Sequence, residues 1–250
     1  MGGTDGHDTR SPRRPEERDA RECPQFIAVL PVGSDLRPPV IDARLRRRLE
    51  RPLGRAAQSI DVEWVSPDRL TWLGLVVGLS SAAAAAASWW LPALALWLLS
   101  RTCDGLDGPL ARRRSRAAAA RGEPVSQAGG YFDITADFVV YGATVVGVAI
   151  GATRSEGAPW WPFLLVLFAY YVNGTALLAF SSMAERSGRQ IDDGRSLSFL
   201  GGVAEGAETI VVHSAWLLFP GSAATIATVW AAVVGVSGVH RIVTGRAALR

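Results

Sequence analysis

Lysine is absent from this chain of 250 residues, in which all 26 basic side chains are arginine. That absence is compositional, and a formal net charge of +3 gives no ground for a nucleic-acid partner. Two cysteines, Cys23 and Cys103, stand in dissimilar settings and are too few for a disulfide framework. No His or Cys set has the pattern of a zinc or copper site. Residues 1–24 hold no apolar run of signal-peptide type, so no cleavage is expected. No internal repeat is visible, and many transporters are built from repeated halves.

The apolar residues, 49% of the chain, concentrate after residue 70. The polar, Pro- and Arg-rich head, 1–41, is expected to be disordered or weakly structured. Within it the short run Gln25 to Gly33 reads equally as a strand or a surface-docking segment. Residues 42–65 are expected to form a juxtamembrane interfacial helix and linker. There Leu45, Leu49 and Leu53 recur four apart among arginines, so the leucines can dip into the acyl boundary while guanidinium groups meet anionic headgroups. The alternative is a solvated basic linker.

A helix needs about 20 apolar residues to cross a bilayer. Six segments qualify, at roughly 70–90, 91–111, 131–152, 160–184, 198–219 and 222–241. The expected fold is therefore all-α: an integral membrane bundle of six transmembrane helices over 66–241, preceded by a cytoplasmic amphipathic helix and followed by a basic tail, 242–250. Trp89, Trp90, Trp160 and Trp161 stand at span ends, as aromatic-belt residues do. Alternate links carry the arginines: Arg112, Arg113, Arg114, Arg116 and Arg121 in one, Arg186, Arg189 and Arg195 in another, Arg241, Arg246 and Arg250 at the end. By the positive-inside rule both termini face the cytoplasm of a bacterial-type inner or plasma membrane.

Against this background, four carboxylates are conspicuous. Asp104 and Asp107, three apart, share a helix face; Asp133 and Asp137, four apart, share a face of the next helix. Carboxylates at membrane depth are costly, and four together repel one another unless a cation compensates them. An all-oxygen set favours Mg2+ or Mn2+. Gly108 removes a side chain where something bulky approaches, and Arg112 offers a planar fork suited to phosphate. Together they point to phosphoryl chemistry at the cytoplasmic face.

The frame D-x2-D-G-x2-A-R followed by G-x3-D-x3-D, carried by Asp104, Asp107, Gly108, Ala111, Arg112, Gly129, Asp133 and Asp137, resembles the signature of the CDP-alcohol phosphatidyltransferases. The likeness covers about residues 60–241, and Ser66 to Thr71 is similar to the family's opening of the first helix. The 16 residues between Arg112 and Gly129 exceed the family's usual spacing and read as an extended link. The resemblance implies transfer of a phosphatidyl group from a CDP-linked lipid, CDP-diacylglycerol, to a small alcohol or phosphorylated polyol, with CMP leaving. It further implies two Mg2+ or Mn2+ ions on Asp104, Asp107, Asp133 and Asp137, with Asp133 and Asp137 the catalytic carboxylates and Asp137 the base. Gly108, Ala111, Arg112 and Ser126 would hold the cytidine diphosphate, with Pro67 and Thr71 at the nucleotide end. A homodimer in the membrane lipid is expected on the same ground.

The acceptor is less legible. Glu205 and Glu208 lie on one polar face of the fifth span and could line a polyol pocket or pair with a neighbouring helix. Arg186, Arg189 and Arg195 could bind an acceptor phosphate or serve topology alone. His213 reads as a packed residue and Asn173 as interhelical glue. Two other readings stand beside the first: a CDP-choline or CDP-ethanolamine transferase acting on diacylglycerol, and a non-catalytic transporter whose aspartates bind a cation.

Overall fold

A computed structural model describes residues 2–3, 52–62, 64–124, 126–186 and 206–250. Most of the expected head, the leucines at 45 and 49, and Arg189, Arg195 and Glu205 lie outside these residues. Among the described residues the regular structure is helical: α1 (52–59), α2 (Pro67–Ala86), α3 (Trp90–Ala120), α4 (Ala128–Glu156), α5 (Trp161–Arg186), α6 (Gly206–Leu218) and α7 (Ala223–Ala248), with a 3-10 turn at Pro220–Ser222 before α7.

Local chemistry sets the helix ends. The Ser66 Oγ accepts the Arg69 N–H at 3.2 Å, Pro67 follows as the first helical residue, and Asp68 lies in the first turn facing the helix dipole. Gly157, at φ 66°, supplies the left-handed residue that closes α4. The link after Arg112 is mostly helix, because α3 continues through the Ala- and Arg-rich run to Ala120, both strong helix formers. At 31 residues α3 is about 46 Å long, well beyond an apolar core of about 30 Å.

Four segments are long and apolar enough to cross a membrane: Pro67–Ala86, Ala128–Glu156, Trp161–Arg186 and Pro220–Ala248. The other two expected spans correspond to α3, which carries Arg101, Asp104 and Asp107, and to α6, described over 13 residues. Outward faces are apolar, with Val229, Val236 and Val243 on α7 and Leu73 and Val76 on α2 exposed, as suits a lipid solvent. Trp89, Trp160 and Trp161 are exposed at the end opposite the aspartates.

The helices pack in two groups, α2 with α3 and α4, and α5 with α7, with α6 leaning on α3. Small residues make the first group tight. A Cβ on Gly78 would come within 2.6 Å of Val140, and one on Gly147 or Gly151 would strike the carbonyl of Ala82 or Ala85. Ser81 and Ser100 add hydroxyl donors to the carbonyls of Ala93 (2.7 Å) and Gly74 (2.6 Å). Asn173 sits where α5 touches Gly238 of α7, and among the described residues its Oδ1 has no hydrogen-bond partner.

Close packing at one glycine and open space at another give a paired test. Gly147→Leu is expected to lower the melting temperature of the detergent-purified protein by an overpacking cost of about 1–3 kcal/mol. Gly142, with nothing near its Cβ position, should accept Ala with no loss. Equal melting curves for the two variants would contradict the packing described.

Candidate active site

Three helices meet at one end of the bundle. Asp107, 3% exposed, accepts the Thr71 hydroxyl from α2 at 2.6 Å. One turn earlier, Asp104 lies 3.6 Å from an Arg101 Nη1 that also bonds Asp137 on α4 at 2.6 Å. Asp104 and Asp137 stand within hydrogen-bonding reach of each other, and Asp133 is in electrostatic range of Asp107, Asp137 and Arg112. The structure thus brings all four predicted carboxylates to one site.

Arg101 is the residue the sequence reading missed. It is 7% exposed; its Nη2 bonds Ser100 Oγ at 3.1 Å, and its guanidinium carbon lies 5.1 Å from the Trp97 ring centroid and 5.0 Å from that of Tyr141. The available signal was an arginine inside an apolar run, three residues before Asp104, which is as costly in a membrane as a carboxylate.

One guanidinium against four carboxylates leaves negative charge uncompensated, and all-oxygen donors suit a hard divalent cation, so the residue set fits such an ion. Among the described residues no three His, Cys, Asp or Glu side chains stand in ligating geometry; Arg101 bonds Asp137 and Thr71 bonds Asp107. The cavity between Thr71, Gly74, Arg101, Asp104 and Asp137 measures about 10 Å³, room for a single water.

The remaining predicted residues spread outward. The Arg112 guanidinium lies over Gly108, where a Cβ would come within 3.3 Å of it, so the glycine makes room for this arginine. Pro109 sits inside α3 and donates no hydrogen bond, which leaves the Gly105 carbonyl without its helical partner two residues before Asp107. Ala111 is half-buried one turn further on. The Ser126 Oγ accepts the Ala128 N–H at 3.2 Å as α4 begins, and Pro67 opens α2 one turn before Thr71. Asp68 approaches Gly129, whose added Cβ would meet its Oδ1 at 3.2 Å. Arg186 ends α5 and Glu208 lies in the first described turn of α6.

One further feature was not legible. Arg113 and Arg114, read as topology, bind Asp61 at 2.7 and 3.1 Å, and Arg114 also bonds the carbonyls of Val62 (3.0 Å) and Val65 (2.7 Å), strapping the segment before α2 onto α3. Leu53 of α1 lies on the same helix at Gly105. Deeper, His213 is fully buried among Trp97, Tyr141, Tyr170 and Trp216, so it is a packed residue as expected. Trp230 donates to the Tyr170 oxygen (2.8 Å), which lies 2.8 Å from His213 Nε2.

Comparison with known proteins bears on the family and the fold. The family model described as CDP-alcohol phosphatidyltransferase matches residues 64–237. The inner membrane protein YnjF of Escherichia coli (strain K12) is 32% identical over 216 residues, 84% of this chain and 98% of that protein. A bifunctional IPC transferase and DIPP synthase of Thermococcus kodakarensis is 32% identical over 126 residues, 50% of this chain and 26% of its own length. The crystal structure of Mycobacterium tuberculosis phosphatidylinositol phosphate synthase (PgsA1), with CDP-DAG bound, has a similar fold. Its TM-score is 0.57 at 20% identity, with 78% of this chain and 94% of that one covered.

The strap has a pH signature. Arg113 first and Arg114 second hold the Asp61 carboxyl below its usual range, so the link contributes at neutral pH and is lost as pH falls through that lowered value. Hydrogen-exchange protection of residues 60–65 is expected to drop on acidification, and to be already low at pH 7 in Asp61→Asn. Protection unchanged by either would refute the strap.

Proposed function

The chain belongs to the CDP-alcohol phosphatidyltransferase family, a class of membrane transferases, and from that premise we propose that it moves a phosphatidyl group from CDP-diacylglycerol to a small polar alcohol, releasing CMP. The observation that carries the reading is the meeting of Asp104 and Asp107, midway along α3, with Asp133 and Asp137 in the first turns of α4, and Gly108 and Arg112 just beyond Asp107.

In this reading the four aspartates hold two Mg2+ or Mn2+ ions. Bound there, such ions draw charge from the pyrophosphate and stabilise CMP as it leaves. Arg112 binds the diphosphate with its planar fork, over a glycine that lets the phosphates approach. Ser126, Pro67 and Thr71 border the nucleotide. Asp137 takes the proton of the acceptor hydroxyl onto a carboxylate oxygen. Glu205 and Glu208 line the acceptor pocket, and Arg186, Arg189 and Arg195 bind a phosphate on the acceptor. The bundle carries six spans over 66–241 and works as a homodimer, with its active end, both termini and the juxtamembrane segment on the cytoplasmic side. The arginines crowding the aspartate end of α3, from Arg112 to Arg121, support that orientation.

The test is CMP release by purified protein with CDP-diacylglycerol and Mg2+ across inositol phosphate, glycerol phosphate, inositol, serine and glycerol. One acceptor-dependent product is expected, abolished in folded Asp107→Ala and Asp137→Ala; release retained in either removes its assigned role. Release only from CDP-choline or CDP-ethanolamine with diacylglycerol would replace the donor. If the acceptor is phosphorylated, Arg186→Ala should raise its KM with kcat little changed, and unchanged kinetics would return Arg186 to topology.

A further inference from the structure

Asp137 is the proposed base and metal ligand, yet its shortest side-chain contact is to a buried cation from its own bundle, Arg101 at 2.6 Å. The same Nη1 is 3.6 Å from Asp104, so one nitrogen bridges a carboxylate of α3 and one of α4. The rest of the side chain is held from behind. Ser100 takes Nη2 at 3.1 Å while donating its own hydroxyl to the Gly74 carbonyl, and the Trp97 and Tyr141 rings lie against the guanidinium. A guanidinium fixed this way occupies, in charge and in position, the place a cation between Asp104 and Asp137 requires.

We propose that Arg101 is the internal counter-ion of the metal-free site: it holds Asp104 and Asp137 together across α3 and α4, and gives up Asp137 when a divalent cation binds. Arg101 is thus a positioning residue and a competitor for the metal, separate from the family frame, which begins at Asp104. Two consequences follow from electrostatics alone. A positive charge beside the site weakens cation binding, so its removal strengthens it. Without Arg101 the metal-free protein keeps buried like charges uncompensated and becomes more dependent on metal for stability. The inference rests on the divalent-metal reading above.

Mn2+ binding to detergent-purified protein without substrate, followed by electron paramagnetic resonance of the free ion, tests it directly. Arg101→Gln is expected to bind Mn2+ about tenfold more tightly than wild type and to gain more in melting temperature on adding Mn2+; Arg101→Lys, which keeps the charge without the fork, should fall between. Equal or weaker binding in folded Arg101→Gln overturns the counter-ion role, whereas no Mn2+ binding by wild type overturns the metal reading and this inference with it. Should Arg101→Gln not fold, the Lys variant and the unaltered protein decide. Mn2+ should change wild-type tryptophan emission, because Arg101 leaves the Trp97 ring, and the change should vanish in Trp97→Phe. Emission unaffected by saturating Mn2+, or Lys binding no tighter than wild type, counts against it.

Discussion

Everything at the working end of this bundle is organised around one buried guanidinium among four carboxylates. Desolvating a single ion costs several kcal/mol, and leaving a buried pair broken costs about 3–5 kcal/mol, a large share of a typical folding free energy of about 5–15 kcal/mol. Arg101 therefore cannot be a passive neighbour. Its contacts to Asp137, Asp104 and Ser100 reach two helices, and the Trp97 and Tyr141 rings close the remaining sides. An arrangement that satisfied fewer of these partners would not hold the charge at that depth.

Such a site demands helices that approach closely and do not shift. Gly147 and Gly151 let α4 lie directly on the backbone of α2, and Gly78 leaves room for the side chains of Val140 and Ser100. That proximity puts Thr71 within 2.6 Å of Asp107 and Ser100 within 2.6 Å of the Gly74 carbonyl. The glycines thus act on the chemistry through distance: a methyl group inserted 10 or 14 residues along α4 from Asp137 would tilt the helix that carries it. The strap from Asp61 to Arg113 and Arg114 fixes the same α2–α3 pair from outside the membrane.

Periodic and local signals were legible from the sequence. Apolar runs of span length located every described long helix, Ser66-Pro67 marked the start of α2, and aspartates at three- and four-residue spacing fall on facing helices as their period requires. Contacts between distant residues were not. Nothing within a few residues of Arg101 says that Asp137, 36 positions later, is its partner, nor that Asp61 will reach 52 positions to Arg113. Charge counting for topology absorbed Arg113 and Arg114 because an arginine that orients a membrane helix and one that straps a loop read alike. The link after Arg112 was read by its length alone, and the helix propensity of its alanines and arginines carries α3 on to Ala120.

The second group of helices has a quieter part that the aromatic core explains. Trp97 touches Arg101 on one side and stacks on His213 at 4.9 Å on the other, and His213 is tied to Tyr170 and through it to Trp230. This chain joins α3 to α5, α6 and α7 through ring contacts and hydrogen bonds. A neutral chain is the arrangement that membrane depth favours, since a second cation packed behind Trp97 would oppose the first. It also follows that a movement of Arg101 cannot be confined to the carboxylates. The ring it rests on is the one through which α3 meets α6, so the state of the charged site and the packing of the helices around it are mechanically the same variable.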